Sequence, residues 1–224
     1  MKFNTKLIHG GQSPEPMTGA IMYPIFYTST YAQKEPGKAE YEYSRTSNPT
    51  RVRLEKALAS LENGKFALAF TSGMAAANAV VQTLKQGDHI VCGDDLYGGT
   101  YRLFSKVYEK FGVSFSQLDL SSPEQLNTVL AEKKASLLWF ETPTNPLLKI
   151  VDIQKICEVA HRHGTQVLVD NTFASPYLQN PLDLGADVVL HSTTKYLGGH
   201  SDVVGGALIT NNTELHQRFA FFLN

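Results

Sequence analysis

Val188-Val189-Leu190-His191-Ser192-Thr193-Thr194-Lys195-Tyr196-Leu197-Gly198-Gly199-His200 decides the reading of this chain. A short apolar strand runs straight into three hydroxyl side chains, a lysine and a Gly-Gly pair. The same order, a buried strand and then small or polar residues, recurs upstream at Phe66–Phe70, His89–Cys92, Leu137–Phe140 and Val167–Val169, and Ala207–Ile209 adds a further strand. Amphipathic stretches separate these strands. Leu54, Ala57, Leu58 and Leu61 repeat at i, i+3, i+4, i+7 after Pro49, with Gly64 as the stop. Tyr101, Phe104, Tyr108 and Phe111 mark another helical stripe, and Ile153, Ile156, Cys157 and Ala160 a third. Ser122-Pro123-Glu124-Gln125 reads as a capping box with proline at the first helical position. Apolar strands alternating with such helices predict an α/β fold, a mainly parallel sheet covered by helices on both faces. In these sheets ligands bind at the carboxyl ends of the strands, so the residues that follow each strand are the ones to examine.

After the first strand, Thr71-Ser72-Gly73-Met74 opens a helix. Its free N–H groups and positive dipole end suit a phosphate, although a serine N-cap has the same letters. Tyr97 stands beside Gly98 and Gly99, where its ring can lie against a planar ligand or anchor a turn. Glu141 and Asn145 fall among Pro143 and Pro146, which predicts a rigid loop for both. Asp170, at the end of a buried strand and followed by Asn171 and Thr172, needs a partner for its charge. A protonated pyridine nitrogen would be one. Ser192 and Thr194 can hold phosphate oxygens, and the Lys195 amine can form an imine with an aldehyde. Taken singly, each has a plain structural reading. Together they converge on one cofactor.

Other classes find less support. A net charge of −1 without a dense Lys/Arg block gives no nucleic-acid footprint. No apolar run reaches the ~18–20 residues of a membrane span. Cys92 and Cys157 form no CxxC pair, and a reducing cytoplasm is the expected setting. A nucleotide-binding module would want GxGxxG or GxxxxGK[ST] after a strand, and neither occurs. A zinc site is not expected: His161 and His163 are two apart on a helix and point differently, and His191 and His200 lack a third ligand. Residues 1–44 form an expected arm. Its density of Gly and Pro argues against regular elements, while Tyr23, Phe26, Tyr27 and Tyr31 need a surface to cover them.

The chain resembles the Cys/Met-metabolism family of pyridoxal-phosphate (PLP) enzymes, which includes cystathionine γ-synthase, cystathionine γ- and β-lyases and methionine γ-lyase. The likeness rests on Tyr41-Glu42-Tyr43-Ser44-Arg45 with Asn48-Pro49-Thr50, on Ser72-Gly73-Met74-Ala75-Ala76, on Tyr97-Gly98-Gly99-Thr100, and on Val169 to Thr172 with Ser192 to Asp202. It implies the aspartate-aminotransferase-like large domain over residues 45–224, with the smaller C-terminal domain and its carboxylate-binding arginine absent, and so lower activity for this chain alone. It implies PLP on Lys195 as a Schiff base, Asp170 against the pyridine nitrogen, and Tyr97 stacked on the ring and able to pass a proton at the leaving group. Ser72, Gly73 and Met74 would hold the phosphate with Ser192 and Thr194, Thr172 would support Asp170, and Asn145 would meet the 3-hydroxyl oxygen. Tyr43 and Arg45 resemble a pair that reaches a neighbouring subunit's phosphate, which implies a homo-oligomer, expected to be a tetramer. Gly99, where methionine γ-lyases carry cysteine, favours the cystathionine enzymes: γ-lyase or γ-synthase first, β-lyase third. A catalytically silent PLP-fold scaffold is the alternative of another class.

Overall fold

The computed structural model describes residues 1–224. Seven strands form one sheet in the order β1-β7-β6-β5-β4-β2-β3. They are β1 (Phe66–Phe70), β2 (His89–Gly93), β3 (Ser114–Leu118), β4 (Leu137–Glu141), β5 (Gln166–Asp170), β6 (Val188–His191) and β7 (Gly206–Thr210). Only β7 runs against its neighbours, pairing antiparallel with both β1 and β6; every other pairing is parallel. Six strands therefore point their carboxyl ends toward the same edge.

The helices cover both faces, as the alternating pattern predicts. On one face, α3 (Gly73–Val81), the segment around Leu103 and Phe104, and α8 (Thr213–Leu223) pack on Leu68, Trp139, Leu168 and Leu208. On the other, α5 (Pro123–Glu132) and α6 (Ile153–Arg162) cover Val91, Leu138, Phe140 and Val169. There α2 (Pro49–Leu61) covers Ala67, Val189 and Ile209. Local signals place the helix starts. Asn48 accepts from the Thr50 and Arg51 N–H groups ahead of α2, and Ser122 accepts from Gln125 N–H ahead of α5. No helix is long and apolar enough to cross a membrane.

Four expectations need correction. Phe3–His9 is a short helix, α1, packed on α2 within the arm that was expected to be irregular; its glycines and prolines begin only at Gly10. The stripe Tyr101, Phe104, Tyr108, Phe111 does not lie on one α-helix. After α4 (Gly98–Arg102) the chain makes a π-turn over Leu103–Val107 and a 3₁₀-turn over Tyr108–Phe111. The change of pitch turns Phe111 outward, to 67 % exposure, while Phe104 stays buried. β3 was not expected, because it is an edge strand with no continuous apolar run. Glu141 is not a loop residue but the last residue of β4, and it is buried. The remaining helical pieces are α7 (Ser175–Leu178) and a 3₁₀-turn at Pro181–Leu184.

Candidate functional site

The carboxyl ends of β4, β5 and β6 and the start of α3 enclose one cavity. Ten of the twelve residues singled out from sequence line it: Ser72, Gly73, Met74, Tyr97, Asn145, Asp170, Thr172, Ser192, Thr194 and Lys195. Tyr43 and Arg45 do not. Arg45 donates to the Asn224 carbonyl at 2.8 Å and its guanidinium lies 5.4 Å from the centre of the Tyr43 ring, away from this cavity.

The α3 edge is built for an anion. Ser72 Oγ accepts from Ala75 N–H at 3.0 Å and caps the helix, which leaves the N–H groups at Gly73 and Met74 outside the helical ladder. Glycine is required here for contact rather than for a special backbone angle. A Cβ on Gly73 would meet Ser192 Cβ at 2.8 Å and Ser192 Cα at 3.0 Å, so any side chain would push α3 from the β6 loop. Gly99 performs the same service for Tyr97. A Cβ there would lie 2.4 Å from Tyr97 Cε1 and 2.9 Å from Met74 Sδ.

Asp170 is held on one side only. Its Oδ1 accepts from Thr172 N–H at 3.0 Å and Thr172 Oγ1 at 2.5 Å, and Oδ2 accepts no hydrogen bond from the protein. Thr172 Oγ1 in turn accepts from Ser192 N–H at 2.9 Å, which ties the β5 end to the β6 loop. Asp170 keeps some surface toward the cavity, yet the packing around it is close. Burial is the main cause that raises its pKa; the Thr172 hydrogen bonds and nearby His191 oppose the rise. A cationic N–H group placed against Oδ2 would relieve that cost.

Lys195 sits on a turn made by Lys195 N–H donating to the Ser192 carbonyl at 3.1 Å and Gly199 N–H donating to the Lys195 carbonyl at 2.8 Å. Its Nζ makes no hydrogen bond or ion pair with the protein. Thr194 lines the cavity, but its hydroxyl is also engaged with Gly205: it accepts from Gly205 N–H at 3.0 Å and donates to the Gly205 carbonyl at 3.2 Å.

Beneath the site lies a polar group the sequence did not disclose. On the opposite face of the sheet, buried Glu62 accepts from His191 Nε2 at 2.5 Å and from Asn171 Nδ2 at 2.7 Å. Gln179 Nε2 bridges Asn171 Oδ1 and the Thr142 carbonyl, at 2.9 and 2.6 Å. His191 is thus committed to Glu62. His161 faces Asp187 at 3.0 Å and His163 faces Asn127 at 3.0 Å, so the two histidines go to different partners. Glu141, expected only as a loop residue, also lines the cavity, as do Pro143 and Phe173, which were given no binding role. Glu141 had a readable signal, an acid closing the strand next to the one that Asp170 closes.

An open carboxylate oxygen, an unpaired amine and a helix-mouth anion cradle around one cavity at the strand ends define a cofactor-binding α/β enzyme. The chain belongs to the family of Cys/Met metabolism PLP-dependent enzymes, whose model matches residues 4–224. It is 55% identical over 223 residues to the "Probable cystathionine gamma-synthase" of Herpetosiphon aurantiacus, covering 99% of this chain and 70% of that one. It is 48% identical to the cystathionine gamma-lyase of Dictyostelium discoideum, covering 100% of this chain and 58% of that one. The crystal structure of cystathionine gamma-lyase from Lactobacillus plantarum complexed with L-serine superposes with a TM-score of 0.96 at 47% identity, again over 100% of this chain and 58% of that one. The chain thus spans between 58% and 70% of the length of these three proteins. PLP is the family's cofactor, and the donor set that lines the cavity fits it: a helix-mouth anion cradle, an unshared carboxylate oxygen and an amine without a protein partner.

Proposed function

We propose that the protein is a PLP-dependent enzyme that cleaves the Cγ–S bond of cystathionine, consuming one water and giving cysteine, 2-oxobutyrate and ammonia. The observation that supports it best is the convergence of Lys195, Asp170, Tyr97 and the α3 mouth on one cavity. When bound, PLP supplies an electron sink conjugated to the substrate α-carbon.

The residues divide the remaining work. Lys195 would hold the cofactor through its side-chain amine, and that amine, when free, would take the substrate α-proton. Asp170 Oδ2 would hold the pyridine nitrogen in its protonated form, while Thr172 fixes the other carboxylate oxygen. The Gly73 and Met74 N–H groups, with Ser72, Ser192 and Thr194, would hold the phosphate and so orient the ring, and orientation is worth much of the rate. Tyr97 would stack on the ring of a bound cofactor, and its hydroxyl would pass a proton at the departing sulfur. Asn145 would meet the 3-hydroxyl oxygen.

γ-Replacement, in which cysteine displaces the acyloxy group of an O-acyl homoserine, is the second reading. The 55% identity to a protein named as a cystathionine gamma-synthase favours it. Assaying the whole protein with cystathionine, O-acyl homoserines plus cysteine, and methionine separates them. Release of 2-oxo acid fastest from cystathionine supports the lyase. Faster formation of cystathionine from the ester would replace it with the synthase, and turnover of none of the three would sink both.

Tyr43 and Arg45 lie outside their own chain's cavity. We assign them to the phosphate of a neighbouring subunit in a homo-oligomer, taken to be a tetramer, with residues 1–44 as the arm between subunits. Neither Arg45→Ala nor Lys195→Ala protein should be active alone. Mixed oligomers should regain activity in those sites that combine an intact Arg45 with an intact Lys195. Hybrids that assemble and stay inactive would place Arg45 in its own subunit's chemistry or in none.

A further inference from the structure

We propose that Glu141 is a positioning residue: its single carboxylate ties the Tyr97 wall of the cavity to the Asn145 wall, and its ionisation sets how tightly. The inference deepens the reading of this cavity as the PLP site and relies on it for what the two walls do.

Three observations carry it. First, Glu141 and Asp170 are register partners on adjacent parallel strands, so their side chains emerge on the same face and both line the cavity. Second, Glu141 is 6 % exposed and has no Lys, Arg or His within ion-pairing distance. Third, its two oxygens go to two different segments: Oε1 accepts from Tyr97 N–H at 2.5 Å and Oε2 from Asn145 N–H at 3.2 Å. Tyr97 leads into α4, and Asn145 lies in the loop after β4. Asp95 reinforces the same join from behind, accepting from Thr144 Oγ1 and from Leu147 N–H.

The charges facing Glu141 decide its behaviour. Asp170 approaches from β5 and Asp95 from the segment after β2; Lys195 faces the same cavity from the β6 loop, and α3 contributes no charged side chain to it. Burial, and then repulsion from Asp170, push the Glu141 pKa up to about 8, against the pull of the two N–H donors. An ionised carboxylate accepts both N–H bonds strongly, whereas a protonated one offers one strong acceptor and one weak. The clamp is therefore loose below this range and firm above it. A cation settling on Asp170 would lower the repulsion, ionise Glu141 and tighten both walls. Filling one end of the cavity then firms up the ring-facing residues Tyr97 and Asn145.

Amide hydrogen exchange at Tyr97 and Asn145 in cofactor-free protein, corrected for intrinsic base catalysis, tests this between pH 6.5 and 9.5. Protection at both amides should rise about tenfold through pH 8, the size expected when a neutral acceptor becomes charged. In Glu141→Gln the rise should vanish, one amide should stay poorly protected, and PLP should bind about tenfold more weakly. Wild-type protection that does not change with pH, or a rise that persists in Glu141→Gln, overturns the proposal. If Glu141→Gln folds poorly, the wild-type profile decides alone. Because the exchange needs no PLP, its failure leaves the cofactor assignment standing, and a failed cofactor assignment leaves the exchange result intact.

Discussion

Lys195→Ala lowers turnover by about 10²–10⁴-fold, the range contributed by a positioned proton-transfer group, and leaves PLP removable by gel filtration after borohydride treatment. The expectation rests on an amine that lines the cavity and is unshared with any protein group. Lys195→Arg is the informative companion, since it keeps the positive charge but cannot form the covalent link. Both should fail alike in 2-oxo acid release. A Lys195→Ala rate within tenfold of wild type would mean that another group lining the cavity, such as Tyr97, takes the α-proton.

Asp170→Asn has the second largest expected effect, and it separates chemistry from folding. The amide oxygen can still accept from Thr172, as Oδ1 does now, while the group facing the cavity changes from acceptor to donor. A nearby carboxylate raises the pKa of a cationic partner by about 1–3 units, so turnover should fall about 10- to 1000-fold. Stability should move the other way. Folding raises the pKa of Asp170, and it carries that of Glu141 to about 8. Between the ordinary carboxyl range and pH 8 the native state thus binds more protons than the unfolded one. The stabilisation that this provides is complete below the ordinary carboxyl range and lost as pH rises toward 8. Cofactor-free Asp170→Asn should match wild type near pH 4 and exceed it near pH 8 in urea midpoint. A variant less stable at both pH values would make Asp170 a structural acceptor, and the electron-sink role would go with it.

The strand-end logic carried most of the site because it depends on local chemistry. Ser72, Asp170 and Lys195 each follow a buried apolar run that reads the same in sequence and in space. Other features depend on long-range pairing. Glu62 reaches His191 across 129 positions, and no local pattern reports that contact. β3 is an edge strand whose residues are only partly covered, so its apolar signal is weak. The π-turn at Leu103–Val107 preserves the spacing of the aromatic residues while changing where they point, and a helical count cannot detect that. Glu141 was visible by position, but its role needed the register with Asp170 and the two N–H donors.

The central claim is that Lys195 carries the cofactor, and one measurement addresses it most directly. Protein loaded with PLP is reduced with borohydride and digested, and the peptides are sequenced by mass spectrometry. The account predicts a pyridoxyl group on Lys195 in the peptide spanning Ser192 to Gly199, at close to one per chain. A label on any other lysine, or none on a protein that still binds PLP, would contradict it.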